Sequence, residues 1–346
     1  MSTIAVDTIL DSNNGTTASI NGTTPNAYNT VGKNRIINGN MVIDQRNSGA
    51  SVTPTNGSYT LDRWISYASQ ASKFTVEQNA GSVSPPAGFT NYLGVTSSSA
   101  YSVTASDYFI IGQHIEGYNV ADLDFGKSTA KTITLSFYVR SSLTGTFGGV
   151  LGNAGSRSYA FTYVVSSANT WEQKTITIPG DTSGTWQTTN SYGLTLYIGL
   201  GAGSTYSGTA GSWDSASYFN ATGATSVVGT SGATLYITGV QLEVGESATE
   251  FEHRPYTTEH QLCQRYLEAI GLDTSAALWS GYGATTNYVN WQFKVEKRAA
   301  PTISGAVSGT AGGAYVTHAL RYTNGSAYAS FGYSGSYSPV YADAEL

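Results

Sequence analysis

The stretch Ile133-Thr-Leu-Ser-Phe-Tyr-Val139 puts an apolar residue at every odd position. A two-residue period is that of a strand with one face buried and the other wet. The pattern recurs in Leu194-Thr-Leu-Tyr-Ile198 and in the second half of Tyr236-Ile-Thr-Gly-Val-Gln-Leu-Glu-Val244. Working outward from these, strands are predicted over 35–43, 64–78, 92–96, 107–115, 132–140, 159–164, 172–178, 193–199 and 235–244. They are separated by Gly/Ser turns, so residues 34–255 read as an all-β, jelly-roll β-sandwich of antiparallel strands.

The composition agrees. Only 11% of the 346 residues are charged, whereas 40 are Gly and 25 are Tyr. A helical bundle would need far more Ala, Leu, Glu and Lys, and a disordered chain more net charge and less apolar content. The length exceeds the ~100–200 residues of one ordinary domain, so further units are expected. The formal net charge is −6, and the 16 basic residues never cluster beyond the pair Lys297-Arg298. Nucleic acid is therefore not an expected partner, since phosphate binding needs clustered cations. The single cysteine, Cys263, excludes an intrachain disulfide and a multi-thiolate metal site, and a buried structural thiol is expected of it. No pair of histidines shares a helix face, and neither metal nor cofactor is expected. The N-terminus lacks the features of a signal peptide, and no apolar run approaches the ~20 residues of a membrane-spanning helix. The expectation is synthesis in the cytoplasm and no membrane partner.

Three segments flank the sandwich. Residues 1–33 hold one short apolar alternation (Ile4, Val6, Ile9) and an Asn/Gly/Thr-rich run, too little for a core. They read either as a frayed terminus or as an attachment segment ordered by a partner. Residues 256–271 read as a connector helix over 259–270. Leu262, Tyr266 and Ala269/Ile270 form its stripe, Thr257 or Thr258 its cap, and Gly271 its stop. Residues 272–346 read as a small β-rich C-terminal domain, with strands over 288–295, 302–304, 314–322 and 326–333. It is near the lower size limit for an independent core, so oligomerisation is a ready source of buried area.

Sugar recognition needs aromatic faces with amides and carboxylates beside them. The best candidates lie in 181–230: Trp186, Tyr206, Trp213, Asp214, Tyr218 and Asn220. The competing reading is that these rings anchor a long loop. Tyr315, Tyr322, Tyr328, Tyr333 and Tyr337 are open between distal receptor contact and subunit packing. Trp64 reads as core. Asp107, Glu116, Asp122, Asp124, Asp181 and Asp214 offer no spacing that selects a catalytic pair. Neither a Gly-x-Ser-x-Gly elbow nor a phosphate-cradling glycine loop is present, so no catalytic residue is expected. Asp44, Asp62 and Glu243 could meet around a calcium ion, but ion pairs with Arg46 or Arg63 are the preferred reading.

Longer motifs point to a family. Asn34-Arg-Ile-Ile-Asn-Gly-Asn-Met-Val-Ile-Asp-Gln-Arg-Asn-Ser-Gly49 and Tyr59-Thr-Leu-Asp-Arg-Trp64 resemble the opening of a module of bacteriophage and prophage tail-fibre proteins. Ile237-Thr-Gly-Val-Gln-Leu-Glu-Val-Gly245, Phe251-Glu-His-Arg-Pro-Tyr256, Leu262-Cys-Gln-Arg-Tyr-Leu-Glu268 and Phe293-Lys-Val-Glu-Lys-Arg-Ala-Ala-Pro-Thr-Ile303 are similar to its later motifs, in the same order. The resemblance spans roughly 34–305. It implies a virion protein, a tail fibre or receptor-binding subunit that adheres to host surface polysaccharide through a carbohydrate-binding-like module, without catalysis. It also implies a homo-oligomer, specifically a trimer, and contacts to other virion proteins through residues 1–33. A head fibre or capsid decoration protein, purely structural, is the alternative, with a polysaccharide-degrading enzyme as the third reading.

Overall fold

The computed structural model describes residues 32–270, 287–305, 319–324 and 340–346. Nearly all of the expected attachment segment lies outside these residues, as do Tyr315, Tyr328, Tyr333 and Tyr337. Of Tyr322 only the backbone, within a strand, is described.

The fold is an all-β jelly-roll sandwich. Its long strands are β1 (Ser58–Leu61), β2 (Trp64–Ala68), β3 (Phe74–Gln78), β4 (Leu93–Ser97), β5 (Tyr108–Glu116), β6 (Ile133–Ser141), β7 (Gly145–Gly152), β8 (Ser158–Val165), β9 (Glu172–Ile178) and β10 (Tyr192–Ala202). Three two-residue strands follow, β11 (Ser207–Gly208), β12 (Trp213–Asp214) and β13 (Asn220–Ala221), and then β14 (Thr234–Val244). One sheet has the order β1-β2-β5-β10-β7-β8-β12 and the other β3-β4-β14-β6-β9, each antiparallel throughout. Between them pack Phe109, Ile111, Leu196, Ile198, Phe147 and Phe161 from the larger sheet. Val95, Leu135, Phe137, Val139, Leu235 and Ile237 face them from the smaller one. Burying each such side chain stabilises the fold by ~1.5–3 kcal/mol. Trp64 belongs to this core and is fully buried.

Several boundaries depart from the periodicity. The predicted strand over 64–78 is two strands in different sheets, β2 and β3, because the polar turn after Ala68 carries the chain from one layer to the other. The predicted strand over 35–43 is irregular buried backbone, with Asn38 and Met41 at positive φ. Side-chain amides stand in for a ladder there. Gln113 both donates to the Ile37 carbonyl (2.8 Å) and accepts its N–H (2.9 Å), and Asn38 does the same for Ile43 (2.8 and 3.0 Å). Strand β7 is absent from the sequence reading because its four glycines resemble a loop. In the sheet they make room for the backbone and side chains that cross it.

The helix also shifts. It is α1 (Tyr256–Gln264), starting after Pro255, so Thr257 and Thr258 lie inside it rather than capping it. Residues predicted as its second half form β15 (Leu267–Ile270) instead, because β19 (Val340–Asp343) is there to pair with it. On the other side of β19 lies β17 (Thr302–Gly305), while β16 (Asn287–Gln292) pairs with β18 (Ala319–Asn324). Cys263 is fully buried, and burial pushes its thiol well up.

Residues 343–346 are fastened to the sandwich by charge. Arg63, 1% exposed, pairs with Glu345, donates to the His114 carbonyl, and lies 3.5 Å from the Tyr266 ring centre. Arg46 reaches Asp343 (2.9 Å) and Glu345 (3.2 Å). Arg265 grips Glu116 through two bonds (2.6 and 2.8 Å), and the Tyr266 hydroxyl donates to the same carboxylate. Breaking a buried pair from one side leaves an uncompensated charge, so Glu345→Ala is expected to cost ~3–5 kcal/mol, read as a fall in the urea midpoint. Replacing both partners, Arg63→Met with Glu345→Leu, is expected to recover most of that loss.

Candidate functional site

The outer face of the seven-stranded sheet carries the strongest concentration of recognition chemistry among the described residues. Period-2 alternation sends Tyr67 of β2, Tyr108 and His114 of β5, and Tyr197 of β10 away from the core, and a register shift between Tyr192 and Leu194 turns Tyr192 of β10 to the same side. The 203–221 segment adds Tyr206 and Phe219. Tyr206 stacks on Phe219 at 5.1 Å between ring centres, and Tyr108 meets each of them at 5.0 Å. Phe219 meets Tyr197 at 5.6 Å, and Tyr197 meets Tyr67 at 6.1 Å and His114 at 6.0 Å. His114 finally lies parallel to Tyr192 at 4.6 Å. The result is a continuous band of seven rings, all partly exposed except buried His114.

Two glycines give the band its closeness. A Cβ on Gly112 would overlap the Leu196 carbonyl and the Tyr197 ring, and one on Gly199 would overlap the Asn220 amide that lies across it.

His114 is neutral. Its Nδ1 lies 3.3 Å from the Leu346 main-chain oxygen, which can only accept, so that nitrogen carries the proton; Nε2 then accepts from the Tyr197 hydroxyl at 3.1 Å. Burial lowers its pKa from 6.5 to about 4; the hydrogen bond to the Leu346 main-chain oxygen opposes this, and nearby Arg63 adds to it. Burial raises the Tyr197 and Tyr67 hydroxyls as well, so these two stay protonated at neutral pH.

The structure scatters the residues singled out in the sequence. Tyr206 belongs to the band, and Asn220 is a buried part of its floor. Trp186 and Trp213 lie elsewhere, paired edge to face at 5.5 Å and both packed on Phe125 (4.8 and 5.7 Å). Their indole N–H groups are used internally, on Ser183 (3.1 Å) and Pro179 (2.7 Å) carbonyls. Tyr218 packs over Gly208, its hydroxyl 3.4 Å from exposed Asp214. Tyr67, Tyr108, His114, Tyr192, Tyr197 and Phe219 escaped the sequence reading. The available signal was an aromatic ring on the polar phase of an alternating strand, as in Leu194-Thr-Leu-Tyr-Ile198.

Of the six acids singled out in the sequence, all but exposed Asp214 are committed to structure. Asp107 is buried, which alone would raise its pKa. Bonds from Thr104 (N–H and hydroxyl), Ser69 and Tyr101 outweigh that and hold it well below the usual range. Asp181 is clamped by Arg157 (2.7 Å twice), Asp122 by Arg35 (2.7 Å) and Asp124 by Lys127 (2.7 Å). Asp44 and Asp62 accept local bonds from Asn47, Gly49 and Gln45, and Glu243 from Gln241 and Thr249. They do not pair with Arg46 or Arg63 as the sequence reading preferred, because both arginines turn to Asp343 and Glu345. Among the described residues no three His, Cys, Asp or Glu side chains group to hold a metal.

No protein-family model matches this chain, and no curated protein matches it. Among solved structures it is similar to the enzymatically active domain of tailspike protein 4 of bacteriophage CBA120, at 12% identity and a TM-score of 0.32 over 56% of this chain. The match spans 21% of that tailspike chain. It is also similar to the family 11 carbohydrate-binding module of Clostridium thermocellum, solved with a β-1,3-1,4-mixed-linked tetrasaccharide (12% identity, TM-score 0.30, 59% of this chain and 98% of that one). A third is the N-terminal cellulose-binding domain of Cellulomonas fimi β-1,4-glucanase C (12% identity, TM-score 0.29, 54% and 90%).

His114 gives a pH test of the band's packing. Its folded pKa lies below the unfolded value, so the unfolded chain takes the proton first. The contribution is complete above about pH 6.5 and is lost as pH falls towards 4, by up to ~3 kcal/mol. Melting temperatures of wild type and His114→Gln are expected to converge over that window.

Proposed function

We propose that the protein is a non-catalytic, glycan-binding subunit of a bacteriophage tail fibre, adhering to host surface polysaccharide. The observation that carries this reading is the band of seven rings. Aromatic faces cover the apolar C–H surface of a pyranose, and the tyrosine hydroxyls at their edges hydrogen-bond its hydroxyl groups. The phage assignment is supported by the motifs of residues 34–305, which resemble tail-fibre modules. Adhesion without bond cleavage is supported by the carboxylates: a glycoside hydrolase needs two facing one cleft, one of them free to act as acid. Here Asp107, Glu116 and Asp181 are held by several structural bonds each.

A fibre multiplies weak sites by presenting several copies, which is the role a homotrimer attached through residues 1–33 fills in this reading. The test is binding of the full-length protein to host cells and their extracted polysaccharide. Tyr206→Ala is expected to weaken binding ~10-fold, equivalent to ~1.4 kcal/mol, with the melting temperature little changed. Tyr67→Ala is expected to act in the same direction. Unaltered affinity in both variants would remove the ring band as the site. A folded wild type that binds no polysaccharide would leave the purely structural virion role.

A further inference from the structure

The ring band ends at a pocket built by two distant parts of the chain. It measures about 260 Å³ and is lined by Ala154, Gln187, Ser191 and Tyr192 on one side and by Arg298 and Leu346 on the other. That is just under the ~300–1,000 Å³ typical of sites for drug-sized ligands, and the pocket is open to solvent, with room for one sugar ring. The walls are fixed. The 187–191 loop lies against Gly117 and Gly193, where a Cβ would overlap its backbone, and Gly117 and Tyr118 donate to the Ser191 (2.8 Å) and Thr189 (3.0 Å) carbonyls. The Tyr192 ring is held by its stack on His114.

Arg298 is positioned from three sides. It donates from Nε to the Ala344 carbonyl (2.8 Å), and from its two terminal nitrogens to the Asn190 (3.0 Å) and Glu345 (2.8 Å) carbonyls. Asn190 returns a bond to the Arg298 carbonyl at 3.0 Å. Three of the five guanidinium N–H groups are thus used, all on neutral oxygens. Unlike Arg46, Arg63, Arg157, Arg254 and Arg265, it makes no ion pair among the described residues. The Gln187 amide, the Ser191 hydroxyl and the Tyr192 hydroxyl likewise have no hydrogen-bond partner among the described residues.

We infer that this pocket is a subsite for one acidic sugar residue, a pyranose carrying a carboxylate. The inference rests on the glycan-binding reading above and adds the charge class of the ligand. The two remaining N–H groups, one on each terminal nitrogen, suit a planar carboxylate. Tyr192 supplies a face for the ring, and Gln187 and Ser191 supply partners for its hydroxyls. A single arginine in an acidic protein fits a monovalent carboxylate better than a more highly charged phosphate.

The test is an array of bacterial polysaccharides in matched pairs, each uronate-containing polymer beside its carboxyl-reduced, neutral form. Wild type is expected to retain at least one acidic polymer and to bind its reduced form about tenfold more weakly. Arg298→Gln is expected to bind both forms at the lower level, and Arg298→Lys to keep part of the preference. Gln187→Ala, in an exposed loop, provides a second variant should Arg298→Gln fail to fold, and it is expected to weaken binding of the acidic polymer. Retention of neutral polymers with no preference for their acidic partners would overturn the acidic subsite and leave glycan binding standing. Retention of no polymer at all would overturn both.

Discussion

Arg63 occupies a left-handed backbone conformation (φ 69°) in the tight turn between β1 and β2, with its guanidinium sealed from water. Both conditions are costly for an arginine, in backbone strain and in desolvation. They persist because Glu345 neutralises the group, the His114 carbonyl accepts from it and Tyr266 covers its face, while its Nε is left buried without a partner. A buried ion pair of this kind adds little stability over a well-packed apolar pair, but leaving either charge unpaired is costly. Its consequence is positional. It sets residues 343–346 against the end of β5, beside the outer face of the sheet.

That placement links the distal part of the chain to the ring band. Leu346 meets His114, which stacks on Tyr192, and the carbonyls of Ala344 and Glu345 orient Arg298. Tyr266 and Arg265, from the turn after α1, both close on Glu116. Of the ion pairs among the described residues, those of Arg46, Arg63, Arg265 and Lys297 all lie at this junction or on the segments that build it. In a chain where only 11% of residues are charged, that concentration marks where orientation is specified by charge rather than by apolar packing.

The ring band depends on a different constraint, the absence of side chains beneath it. Gly112, Gly148 and Gly199 sit on adjoining strands of one sheet, and the Tyr197 ring, Ala221 and the Asn220 amide occupy the space their side chains would fill. A sheet gains little from glycine in isolation, since glycine adds conformational entropy to the unfolded chain and packs nothing. Here each one lets a neighbouring group lie close to the sheet, so the rings gather into one surface while their outer parts stay in water.

The sequence by itself determined the layers of this protein. Alternation in 133–139 and 194–198 fixed which residues of β6 and β10 enter the core, because a strand has only two faces and a one-residue slip would expose the whole apolar set. It also carried Trp64 into that core and marked the family-like motifs. Alternation is silent about which strands become neighbours, and so the tertiary structure alone brought Tyr67 against Tyr197 and Tyr108 against Phe219, each pair more than a hundred residues apart in the chain. It likewise turned Trp186 and Trp213 towards Phe125 and away from the band, and made a strand of Leu267–Ile270. In each case local preference was close to neutral, and the deciding term was a partner supplied from far along the chain: a ring, a strand edge or a buried charge.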